Sequence, residues 1–90
     1  MEIELKDIAK IQRLYIEIFE EEDNDFVDYR KIKPKEMAID RILNKITPNE
    51  EDQKKIYNII CVQSWNQDDN TYKPICDELR KLNYIIEEGK

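Results

Sequence analysis

The chain contains no histidine, one glycine (Gly89, beside the C-terminus) and two cysteines in 90 residues. Each shortage excludes something. Without histidine, serine–histidine and cysteine–histidine schemes of nucleophilic catalysis cannot be assembled. Cys61 and Cys76 alone fall short of the four Cys or His ligands that a structural zinc site uses. With no Asn-Gly or Asp-Gly pair, the tight hairpins of a meander or barrel lack their source of positive φ. There is no Gly-rich phosphate loop. No apolar run approaches the roughly 18 residues needed to span a membrane. The opening MEIELKD lacks the basic start and apolar middle of a secretory signal. The expectation is a cytoplasmic protein with no metal, no cofactor and no catalytic residue. Its cysteines are expected to be reduced, small buried hydrophobes on helices.

Positive charge is also in deficit. Fifteen Lys and Arg face 21 Asp and Glu, giving a net charge of −6. That balance argues against broad phosphate binding and against adhesion to an anionic membrane. It favours encounter with basic proteins; solubility is its plainer use. The 40% apolar fraction, rich in isoleucine, exceeds that of a disordered acidic tail. Ninety residues make one domain, 1–90.

The densest charge lies at Glu17 to Asp28, EIFEEEDNDFVD, with seven acids and no base, followed at Arg30 to Lys35 by RKIKPK, with four bases and no acid. The acids crowd the end of a predicted helix, where the macrodipole prefers cations. Helix support is therefore a poor explanation for them. Two readings follow: a surface for a basic partner, or internal pairing with Arg30–Lys35.

The periodicity predicts an all-α fold, a small four-helix bundle-like domain. The first helix runs from about Leu5 to Glu21, with Leu5, Ile8, Ile11, Leu14, Tyr15, Ile18 and Phe19 on one face. A connection follows at Asp23 to Asp25, then a short turn or irregular segment through Phe26, Tyr29 and Ile32. Pro34 suits the first position of a second helix reaching about Lys45. Thr47-Pro48-Asn49-Glu50 reads as a capping box, Thr47 capping and Glu50 closing it, for a third helix to about Ser64. That helix carries Ile56, Tyr57, Ile59, Ile60, Cys61 and Val62 and is expected to be the most buried. Asn70 or Thr71 caps a fourth helix to about Leu82, with Asn83 ending it. The β-prone Tyr84-Ile85-Ile86 is a candidate to pair with Glu2 to Leu5 in a short terminal ribbon.

Two motifs have sharper readings. From Asn66, Asp68 and Asn70 fall at positions three and five of a calcium loop, but the turn glycine and bidentate glutamate are missing, so a polar helix cap fits better. Glu51–Ser64 followed by Thr71–Ile86 resembles a helix-turn-helix with the start of a wing. That variant implies nucleic-acid binding through Lys73, Arg80, Lys81 and Arg30–Lys35. Against it, Asp68 and Asp69 precede the reading helix, only Lys73 lies in its first turn, and no sequence remains for a second wing strand.

Aromatic residues border the acids. Phe19 and Phe26 are expected in the core; Tyr29, Trp65 and Tyr72, beside polar loops, are candidate contacts. The reading that follows is a non-enzymatic, acidic protein-binding inhibitor of a basic, nucleic-acid-processing target, such as a toxin immunity protein or a phage-encoded inhibitor of a host nuclease or defence complex. Its candidate surface is Glu17, Glu20, Glu21, Glu22, Asp23, Asp25, Asp28, Tyr29, Trp65, Asp68, Asp69 and Tyr72. A homo-oligomerisation module is a further alternative.

Overall fold

A computed structural model describes residues 2–65 and 72–87. The order is β1 (Glu2–Glu4), α1 (Leu5–Glu22), α2 (Tyr29–Ile46), α3 (Glu50–Trp65), α4 (Lys73–Lys81) and β2 (Ile85–Glu87). The fold is a small all-α domain with a terminal ribbon, as the periodicity predicts. The ribbon is parallel, with Glu2 opposite Ile85, Ile3 opposite Ile86 and Glu4 opposite Glu87. Alternation along each strand buries Ile3 and Ile86 together and leaves the glutamates outside. Because β2 pairs with β1 in parallel, the tail is not a wing hairpin.

The core is mostly isoleucine: Ile8, Ile11 and Ile18 from α1, Ile32, Ile39, Ile42 and Leu43 from α2, Ile56 and Ile60 from α3, and Ile75 and Leu79 from α4. Helix α3 packs against α1, α2 and α4, as a central helix does. It is not the most buried one; α1 encloses more residues. Only Ile56 and Ile60 on it are fully enclosed, while Cys61 is half-buried and Val62 is 48% exposed. An apolar run lies on several sides of a helix, but neighbours here cover one stripe of α3.

Helix α2 begins five residues before Pro34 rather than at it. Asp28 caps the helix by accepting from the Arg30 N–H at 3.0 Å, and Ile32 anchors the first turns in the core. Pro34 supplies no N–H to the carbonyl of Arg30, one lost bond early in an 18-residue helix. The start of α3 differs too. The Asn49 side chain accepts from the N–H groups of Glu51 (2.9 Å) and Asp52 (3.2 Å), so Asn49 is the cap and the helix starts at Glu50. Thr47 instead ends α2, buried, with its hydroxyl accepting from the Asn49 N–H.

Helix α4 ends as the sequence suggests. Asn83 takes φ 70°, donating its N–H to the Arg80 carbonyl while Tyr84 donates to Leu79, the paired bonds of a Schellman turn. This turn aims the chain into β2. The Asn70 or Thr71 cap of α4 lies outside the described residues.

Candidate functional site

The last turn of α1 and the loop after it form an acidic pole. The Asp23 N–H donates to the Phe19 carbonyl and the Asn24 N–H to the Glu21 carbonyl, carrying the helical path through the acidic run before it turns. Two of the seven acids are consumed in making this turn. Glu21 accepts from the Asp28 backbone N–H at 3.3 Å, bridging the loop, and Asp28 caps α2 and pairs with the Arg30 guanidinium at 3.2 Å. Both act as struts, so their carboxylates are less free than the sequence suggests.

The other five, Glu17, Glu20, Glu22, Asp23 and Asp25, form no ion pair among the described residues. All but the half-buried Glu17 are exposed. The basic run next door does not neutralise them, since Arg30–Asp28 is the one ion pair joining the two segments among the described residues. The dense acids therefore stand as uncompensated surface charge.

The aromatic residues do not sort as expected. Phe26 is 92% exposed at the head of the acidic loop, and Phe19 is also exposed. Their neighbours Ile18 and Val27 take the core positions instead. Tyr29 is 72% exposed at the start of α2, as its position beside a polar loop predicts. Tyr72 is half-buried against the core. The side chain of Trp65, together with Asp68 and Asp69, lies outside the described residues.

Between α1 and Tyr72 lies a groove of about 290 Å³, lined by Ala9, Gln12, Arg13, Ile16, Glu17, Glu20 and Tyr72. It brings three of the sequence-predicted residues, Glu17, Glu20 and Tyr72, onto one surface. It adds Gln12, which periodicity alone does not single out. Gln12 is 1% exposed, and its Nε2 has no hydrogen-bond partner among the described residues. The sequence reading missed it; a polar residue one turn after Ile8, on the core-facing side of α1, is the signal that could have found it.

The alternative basic residues are partly engaged. Arg80 pairs with Asp77 at 3.6 Å and Lys81 with Glu78 at 2.9 Å. Near the core, Cys61 lies beside two tyrosine rings, Tyr15 and Tyr57, whose edge-to-face centroids are 6.1 Å apart. Burial pushes the Cys61 thiol up despite hydrogen bonds with both tyrosines, so the reactive thiolate is disfavoured. Burial likewise holds the Tyr57 phenol above its ordinary range. Cys76 is buried, and neither cysteine is in a disulfide. No helix among the described residues is long and apolar enough to cross a membrane. Comparison with protein-family models, curated proteins and solved structures finds no match for the chain.

Proposed function

We propose that this domain is a small acidic inhibitor that acts in the cytoplasm by occupying a basic groove of a nucleic-acid-processing protein. A toxin nuclease blocked by its immunity protein fits this mode, as does a host nuclease or defence complex blocked by a phage-encoded inhibitor. One observation carries the reading: five carboxylates without cation partners among the described residues line the last turns of α1 and the loop that leads to an exposed Phe26. Unpaired charge of one sign accelerates encounter with its complement, and an exposed aromatic beside it supplies an apolar anchor. In this mechanism Glu20, Glu22, Asp23 and Asp25 stand where the target expects phosphates. Glu17, Glu20 and Tyr72 extend the contact along the α1 groove. Binding, not chemistry on a substrate, is the proposed activity.

Affinity capture from a lysate at low salt, followed by partner identification, tests this. The expected result is a basic protein whose nucleic-acid-processing activity falls when the purified domain is added at stoichiometric amounts. Capture of acidic or neutral proteins alone, or a basic partner whose activity is unmoved, overturns it.

A further inference from the structure

The face of α2 turned away from the core is neither polar nor covered. Tyr29, Lys33, Met37 and Arg41 recur at four-residue steps opposite the buried Ile32, Ile39, Ile42 and Leu43. With Arg30 and Pro34 they line a shallow groove of about 640 Å³. Its apolar part is Tyr29, Pro34 and Met37, with Met37 itself 49% exposed. Its charged part is three cations and no acid. Neither Lys33 nor Arg41 forms an ion pair among the described residues. The occupant that matches is an acidic segment bearing an exposed apolar ring.

The chain displays such a segment. Glu22, at the end of α1, and Asp23 and Asp25, in the loop before α2, lead directly to Phe26, which stands out in solvent rather than in the molecule's own groove. The two complementary patches are adjacent on one surface, the self-complementary arrangement that a two-fold interface needs. We infer that a second copy of this chain covers the groove, with the two α2 helices antiparallel. Each acidic loop then lies against the basic face of the other copy.

The inference does not rest on the proposed inhibitor function. The acidic loop is common to both, so a basic target and a second copy compete for it.

Sedimentation equilibrium of the full chain, over about a thousandfold concentration range at low and high salt, tests the pairing. The weight-average mass should climb from the 11.0 kDa of one chain toward twice that value, and climb less at high salt. Lys33→Glu/Arg41→Glu and Glu22→Lys/Asp25→Lys should each remain monomeric with an unchanged far-UV spectrum. An equimolar mixture of the two should recover the dimer, because both contacts are then matched again. Phe26→Ala, which touches no core residue, should also weaken association, at least tenfold. A native chain that stays at 11.0 kDa throughout, or a mixture that fails to recover although both variants are folded, overturns the inference.

Discussion

Tyr84 shows how one side chain ties the terminal ribbon to the helices. Its hydroxyl donates to the Asp52 carboxylate at 2.8 Å, linking the start of β2 to the first turn of α3. Burial, reinforced by that hydrogen bond and by the negative charge of Asp52, pushes the phenol up to about 12. An unfolded tyrosine loses its proton near 10, so between the two values the unfolded state ionises first and stability falls as pH rises. Urea unfolding at neutral and high pH should show this alkaline loss in the native chain and a flatter limb in Tyr84→Phe. At neutral pH the same variant should cost about 1 kcal/mol, because Asp52 is partly exposed and water can replace the lost donor. Gln12 predicts the opposite sign. Its buried Nε2, without a partner among the described residues, is a liability, so Gln12→Met, close in volume, should raise unfolding stability by about 1 kcal/mol. A drop of that size would show that the amide has a partner in solution.

At the scale of elements, α1 was the most legible and α2 the least. Leu5, Ile8, Ile11, Leu14 and Ile18 repeat at helical steps and all pack into or against the core. The repeat overreaches at Phe19, because the helix outlasts the isoleucine layer above it. The start of α2 was hidden because proline is a strong local stop signal, whereas Asp28 and Ile32 act through a cap and a distant core. The start of α3 was read two residues early, near Pro48 rather than at Glu50, since Thr47 and Asn49 offer similar capping chemistry and only geometry chooses between them. Candidate site residues were legible as charge density, but the demotion of Glu21 and Asp28 to struts depends on how the loop folds back. Asp28→Ala should accordingly destabilise the domain by about 1 kcal/mol in chemical denaturation. Asp25→Ala, which makes no such bond, should be nearly silent. The ribbon carries its own titration. Glu87 is held above the ordinary glutamate range, first by sharing a hydrogen bond with Glu2 and then by the charges of Glu2 and Glu4. A raised carboxyl binds its proton more tightly in the folded state, so the ribbon gains as pH falls through that range and loses as pH rises. An NMR titration should place the Glu87 midpoint above that of an ordinary glutamate and return it in Glu2→Gln.

For the whole molecule, net charge conceals a division. The end of α1 and its loop gather unpaired acids, while the outer face of α2 gathers Arg30, Lys33 and Arg41 around exposed apolar side chains. A net −6 spread evenly would serve solubility; charge separated into poles favours oriented contact. The central claim is that the acidic pole is the face a basic partner reads. Binding of that captured partner should therefore be compared, at low and high salt, between the native domain and a Glu20→Lys/Glu22→Lys/Asp25→Lys variant. None of these three carboxylates supports a cap or the core, so the variant should fold as the native chain does. The account predicts affinity lowered on the order of a hundredfold in the variant, with most of the salt dependence gone. Equal affinity and equal salt dependence in the two proteins would contradict it.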